Sequence, residues 1–471
     1  MGQDISVSHF KYHDFHRFQR LIDREMTVLQ RWFAEKRFSD KRGIAGLELE
    51  TWIVDQRGNP LPINDDLLAR VASPDVVPEL SRFNVEFNVE PQPVAGRGLE
   101  VLASELSRTW GECNRAAAGM GASVVAIGTL PTVTEDVLSL RNISSSLRYR
   151  ALNEQTLRLR QGRPIRLDIA GRERLQTEHF DVMLEAATTS FQLHFQVPAA
   201  DAVRYYNAAL IVSAPLVAVA ANSPFLFGKV LWEETRIPLF EQAVDVGAGR
   251  FSRVTFGSGF AESSLEECFV ENREHYPVML PLAMDDVSER LAHVRLHNGT
   301  IWRWNRALIG FDESNRPHLR IEHRVPAAGP TTVDMAANMA FYYGLAEALA
   351  TSPVPPETRL LFATARANFY LAARYGLEAE LVWLDQQPVN VRDLILKQLL
   401  PLSRLGLERL EVDGDLADRF LEVIESRMLT GQNGAVWQRR FVERHGRDMA
   451  LLTREYRERQ QAGEPVHAWD L

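Results

Sequence analysis

Only two cysteines, Cys113 and Cys268, occur in the 471 residues, so neither a disulfide framework nor a cysteine zinc site is available. A reducing compartment suits such a chain. Lysine is scarce too: Lys11, Lys36, Lys41, Lys229 and Lys397 are the only ones, and arginine supplies almost all the positive charge. A net charge of −9 and a pI near 5.8 exclude the basic surface that a nucleic-acid backbone selects. Familiar nucleotide loops are missing. The glycine–lysine pair Gly228-Lys229 is followed by valine, Gly119-Met120-Gly121 lacks a third glycine and a preceding strand, and no G-x-S-x-G elbow occurs. The longest apolar stretch, Ala208 to Ala221, is interrupted by Ser213 and Pro215 and reads as a buried helix rather than a membrane span. The N-terminal stretch is polar with scattered aromatics, and the cytoplasm is the expected compartment.

What the chain does have is alternation. Leu47, Leu49, Thr51 and Ile53 oppose Glu48 and Glu50. Phe83, Val85, Phe87 and Val89 oppose Asn84, Glu86, Asn88 and Glu90. Phe191, Leu193, Phe195 and Val197 oppose Ser190, Gln192, His194 and Gln196, while Leu319, Ile321 and Val325 oppose Arg320, Glu322 and Arg324. Period-two patterning predicts half-buried strands, so each segment sets its carboxylates, imidazole or guanidinium on one face. An antiparallel sheet with one wet face accounts for any single segment. It accounts poorly for all four, because these polar faces carry acids, a histidine and arginines and no lysine.

Same-face neighbours on a strand lie roughly 6.5–7 Å apart, so Glu48 and Glu50 can serve two neighbouring cations or flank one. Magnesium takes oxygen ligands and keeps substrate phosphates in its shell. An acidic sheet face with an occasional histidine and nearby arginines is what a magnesium-nucleotide site requires.

Helical spacing covers residues 9 to 35, with Phe10, Phe18, Leu21, Ile22, Met26 and Leu29 on one side. His9, His13 and His16 lie together there without a fourth metal ligand, which favours a surface role. Leu99, Leu102, Leu106, Trp110, Cys113 and Ala117 form a second stripe, followed by a strand from Ser123 to Ile127. Residues 141 to 166 are arginine-dense, and a solvated segment explains them as well as anion binding does. From about Asp334 the signals are mainly helical. The expectation is a single large α+β domain over 1–471, with an N-terminal helical segment (1–40) and a mainly helical C-terminal part (334–471).

The sequence resembles the glutamate–cysteine ligase family. Gly46-Leu47-Glu48-Leu49-Glu50-Thr51 is similar to that family's first metal-binding strand, and Glu79 with Glu86 to its second acidic pair. Thr189-Ser190-Phe191-Gln192-Leu193-His194 resembles its histidine strand. Ala221-Asn222-Ser223-Pro224-Phe225 followed by Arg236 resembles its N-S-P segment, and Ile321-Glu322-His323-Arg324 its E-x-R strand. Arg148-Tyr149, and Thr430-Gly431 with Trp437-Gln438, match further signatures, all in the expected order.

The resemblance implies a curved, mainly antiparallel sheet with an acidic concave face and helices on the other side, as in glutamine synthetase and guanidino kinases. It implies an ATP-dependent ligase joining the γ-carboxylate of glutamate to an amine, cysteine favoured, through a γ-glutamyl phosphate. It implies roughly two or three Mg²⁺ ions, with Mn²⁺ able to substitute. Glu48, His194 and Glu322 would hold the metal nearest the nucleotide; Glu50, Glu79 and Glu86 the one nearer the amino acid. Arg324 and Arg306 would be catalytic, facing the transferred phosphoryl group, and Arg236 and Asn222 substrate-binding. Glu90 is an extra acid that competes with Glu79 for the second metal. The partners implied are small molecules (glutamate, an amine, ATP), with no nucleic acid and no membrane, and a homo-oligomer is compatible. An amine other than cysteine, a guanidino-kinase-like phosphotransfer and a retired ligase fold used for binding stand as alternatives.

Overall fold

The computed structural model describes residue 5 and residues 7–247 and 252–471; residues 1–4 and 6 of the expected N-terminal segment lie outside the described residues. Seven strands form one sheet: β1 (Ile44–Asp55), β2 (Val76–Pro78), β3 (Asn84–Pro93), β4 (Ala122–Val125), β5 (Phe191–Val197), β6 (Asn305–Phe311) and β7 (Pro317–His323). Their order is β6-β7-β5-β1-β3-β2, every pairing is antiparallel, and the sheet curls into a half-barrel. β1 is the axis. One of its edges pairs with β3; the other is shared by β5, along Ile44 to Leu49, and β4, along Trp52 to Asp55.

The helices used below are α1 (Tyr12–Ala34), α2 (Gly98–Ala118), α3 (Leu147–Leu159), α4 (Ala202–Ala220), α5 (Arg236–Ala243), α6 (Thr332–Ala350), α7 (Leu400–Arg409), α8 (Gly434–His445) and α9 (Met449–Ala462). The apolar residues of the alternating segments form the core between the sheet and α2, α4 and α6. Phe195 of β5 lies 5.8 Å from Tyr205 and 4.9 Å from Tyr343, ring centre to ring centre. The Tyr343 hydroxyl donates to the carbonyls of Gly46 (3.2 Å) and His194 (3.0 Å), so α6 is bolted to the convex side of the two central strands. α4 is 19 residues long, and by length and composition it could cross a membrane; here 89% of its apolar window is buried inside the protein. The sequence reading treats this stretch as too short to span, but the helix starts earlier, at Ala202. Its all-round burial is what explains its composition.

Past Asp334 the chain is helical apart from a small hairpin pairing Glu380–Val382 with Pro388–Asn390. α6 and α7 touch through glycines. A Cβ on Gly406 would lie 1.8 Å from the Gly344 carbonyl oxygen, and one on Gly344 would lie 2.3 Å from the Ser403 carbonyl oxygen. Both obstacles are backbone, so neither can swing away. Gly406→Ala is therefore expected to destabilise the protein by about 3 kcal/mol, the upper range for overpacking a core. Urea unfolding measures it; an unchanged midpoint would show that the two helices separate at little cost.

Candidate active site on the concave sheet face

Register decides which side chains meet. β7 pairs with β5 so that Glu322 stands opposite His194, and β6 pairs with β7 so that Arg306 stands opposite Glu322. On β1, Glu48 faces Gln192 and Asn88, and Glu50 faces Glu86. Directly opposed residues share a face. The polar halves of all four alternating segments thus converge on the concave side. Between Ala45 and Leu47 the pairing with β3 slips, and Glu90, just beyond it, is exposed rather than part of the acid cluster.

Two trios result. One oxygen or nitrogen from each of Glu48, His194 and Glu322 falls within 4.8 Å of the others, and the same holds for Glu50, Glu79 and Glu86. In the first, His194 Nε2 is 3.3 Å from Glu48 and 4.0 Å from Glu322. In the second, Glu79 reaches in from the loop after β2 and accepts a hydrogen bond from the Tyr149 hydroxyl of α3. Glu50 accepts from the Ser190 N–H (2.7 Å) and the Gln192 amide (2.8 Å), and Glu86 from the Asn88 amide (3.2 Å).

Guanidinium groups offset part of this charge. Arg306 grips Glu322 with two parallel hydrogen bonds, 2.8 and 2.7 Å. Arg324 sits between the trios: it donates to Gln192, lies 3.5 Å from Glu322 and reaches to 4.0 Å from Glu50. The outcome differs between the two groups. At Glu322, burial raises the carboxyl, but Arg306, Arg324 and His194 outweigh it and hold it at about 2, so it is charged at neutral pH. Burial pushes Glu50 up against the pull of Arg324, and pushes Glu86 well up with the charge of Glu48 adding to it. Glu79 is driven up to about 7 by burial and then by Glu50. His194 is lowered by burial, which keeps its imidazole neutral and able to ligate. Acids packed this tightly resist ionising together, and a divalent cation relieves both burial and repulsion. Five carboxylates and one imidazole are the hard donor set that magnesium or manganese takes, so the residues fit such ions.

The face forms the floor of a cavity of about 420 Å³. Toward β6 its walls include Leu308, Trp302, Leu296 and Arg295; toward β2 they include Glu79, Tyr149 and Glu185. Arg148 of α3 donates to the Gly299 carbonyl at 3.2 Å and ties the two sides together across the curl.

Arg236 lines the cavity but is heavily engaged. Its Nε meets Glu234 at 3.2 Å, its terminal nitrogens donate to the carbonyls of Arg324 (3.3 Å) and Val325, and it stacks 5.1 Å from the Trp304 ring. It fixes the backbone that carries Arg324. Asn222 is not among the residues lining the cavity. Its Nδ2 donates to the Ala328 carbonyl (2.7 Å) and the Tyr456 hydroxyl (2.8 Å), and its Oδ1 accepts from Gln438 (2.9 Å). A Cβ on Gly434 would lie 2.0 Å from that Oδ1, so α8 and α9 close directly over it. The N-S-P segment thus anchors the C-terminal helices, and the side-chain partners of Asn222 lie there rather than in the cavity lining.

Arg320, Arg295 and Glu185 are among the cavity residues missing from the site read from the sequence. Arg320 shares the polar face of β7, and its buried Nε has no hydrogen-bond partner among the described residues. Its parity with Glu322 was the available signal. Arg295, on the short helix Ala292–Asn298, faces it. Glu185 lies on a single 3₁₀ turn, Met183–Ala187, which has no periodic signature at all.

A family model described as glutamate-cysteine ligase family 2 matches residues 44–463. No curated protein matches the sequence. Among solved structures, the chain is similar to glutamate–cysteine ligase from Francisella tularensis, solved in complex with AMP: TM-score 0.53, 12% identity, 91% of each chain covered. It is also similar to a bifunctional glutathione synthetase from Pasteurella multocida, with TM-score 0.50, 12% identity, and coverage of 93% of this chain and 55% of that one. At such identities the likeness is one of fold. The family match spans the acid-bearing strands, the arginines and the helices that close over them, and by it the chain belongs to glutamate–cysteine ligase family 2, as an ATP-dependent carboxylate–amine ligase.

Proposed function

We infer that the protein joins the γ-carboxylate of glutamate to an amine, with cysteine the first candidate, at the expense of ATP. One observation carries the reading: two cation-sized trios, Glu48–His194–Glu322 and Glu50–Glu79–Glu86, flank Arg324, and all five of their carboxylates line one cavity. The AMP bound by the Francisella relative supports nucleotide use. Glu48, His194 and Glu322 would hold one ion, and Glu50, Glu79 and Glu86 a second. Such ions would supply positive charge to the phosphates of the nucleotide.

The remaining work falls to the chain's own residues. Arg324, Arg306 and the unpaired Arg320 stand where negative charge collects on the transferred phosphoryl group. The Arg236 N–H groups not spent on Glu234 and the β7 exit suit the α-carboxylate of glutamate. A γ-carboxylate oxygen attacks the terminal phosphorus of ATP, and the bond to ADP breaks with its electron pair staying on ADP. The ammonium loses one proton to become the free amine, whose nitrogen attacks the acyl carbon; the C–O bond to phosphate breaks, inorganic phosphate leaves with that electron pair, and the nitrogen loses a second proton to solvent, keeping one as the amide N–H. The protein supplies position and charge, with no covalent nucleophile.

Three outcomes are expected. Glu322→Gln and Glu48→Gln keep the side-chain shape but remove a charged ligand; each should lower ATP turnover at least about a hundredfold at fixed Mg²⁺, and EDTA should silence the wild type. Full activity after chelation would refute the cation sites. Arg324→Lys keeps the charge and loses the planar fork; kcat should fall about tenfold to a hundredfold, with KM for ATP changing less. Wild-type turnover there would make Arg324 a structural ion-pair partner. Incubation with ATP, Mg²⁺, glutamate and single amines, followed by mass spectrometry, should yield a γ-glutamyl amide, γ-glutamylcysteine first among them. Other amides formed as fast would reject cysteine and keep the ligase; ADP release indifferent to glutamate would reject the ligase.

A further inference from the structure

Glu185 sits on the turn that leads into β5 and lines the cavity beside Ala186, Tyr149 and Glu79. Its backbone is pinned. The N–H donates to the Val182 carbonyl at 3.0 Å, and the carbonyl accepts from the Thr188 N–H (2.9 Å) and hydroxyl (2.7 Å). The carboxylate is different: among the described residues it has no hydrogen bond and no ion pair, and it lies outside both trios. Every other acid of the floor is held, Glu322 by Arg306, Glu50 by Ser190 and Gln192, Glu79 by Tyr149, Glu86 by Asn88 and Glu48 by His194.

A half-buried carboxylate with no partner, in a cavity already rich in acids, repels anions. Of the substrates the proposed reaction requires, ATP brings only anionic phosphates and glutamate brings two carboxylates against one ammonium, whereas an acceptor amine brings its ammonium with one carboxylate at most. The wall around Glu185 is suited to an amine's carbon skeleton, since Leu80, Leu152, Val77 and Ala186 line the same end. We propose that Glu185 binds the ammonium group of the acceptor and so defines the acceptor end of the cavity, an assignment that rests on the ligase reading above. Arg148 and Arg324 are the opposing charges nearest to it, while Glu79 and Glu50 face it with like charge.

The test takes whichever amine the wild-type enzyme couples fastest from L-cysteine, other α-amino acids, ethylamine and ammonium, and compares wild type with Glu185→Gln and Glu185→Asp. Glu185→Gln should raise KM for that amine about tenfold to a hundredfold, the loss of a charge-assisted hydrogen bond, with KM for ATP and glutamate moving less than about threefold. Glu185→Asp should recover part of the affinity. An unchanged KM for the amine overturns the proposal. A rise in the Mg²⁺ concentration needed for half-activity, with KM for the amine unmoved, also overturns it by making Glu185 a cation ligand. No amide from any amine with the wild type would instead reject the ligase reading, which keeps the two failures apart.

Discussion

The structure depends on forcing like charges together. Two carboxylate oxygens 4.8 Å apart would repel by roughly 3 kcal/mol at an effective dielectric of 20 if both were ionised, and the three acids of the second trio lie within that distance of one another. Nothing local compensates in full, since Arg324 reaches only its edge. The charge is tolerated because the surrounding fold overdetermines the positions: α6 clamps the convex side through Tyr343, and β1 is paired along both edges. A one-residue slip of β1 would send Glu48 and Glu50 into the apolar core, at a cost far above any repulsion relieved.

The arginines divide into two kinds by how they are held. Arg306 and Arg236 are held in place, the first by Glu322 and the second by the backbone beyond β7, which fixes the positions from which their remaining N–H groups would meet a ligand. Arg320 is half-buried, and its buried Nε has no partner among the described residues, a costly state for a donor unless an anion is to arrive. Stability has been given up at the same face where binding is wanted, a common trade in active sites.

Much of this was legible in the sequence because a strand exposes its parity. Glu48, Glu50, Glu86, His194 and Glu322 share a face for the reason that made them visible, a period of two interrupted by no proline. Glu79 was legible only through family resemblance, since it stands on a loop whose position is set by β2 pairing with β3 and by Tyr149. Asn222 shows the reverse: a recognisable segment whose side chain faces Tyr456 and Gln438, more than two hundred residues away, which no local pattern encodes. Glu185 and Arg295 lie on a single turn and a short helix, too brief for any periodicity to register. The stretch from Ala208 to Ala221 read correctly as a buried helix, but its start at Ala202 lies outside the apolar run, where Arg204 and Asn207 carry polar side chains, and Pro215 is accommodated within it.

The central claim is that the two trios are two cation sites serving one nucleotide. A crystal structure with Mn²⁺ and a non-hydrolysable ATP analogue, with manganese located by its anomalous scattering, tests it most directly. The account predicts one manganese bound by Glu48, His194 and Glu322 and another by Glu50, Glu79 and Glu86, both within about 2.3 Å of their ligands and with Arg324 between them. Manganese bound elsewhere, or nucleotide bound in the cavity with both trios devoid of anomalous density, would contradict it.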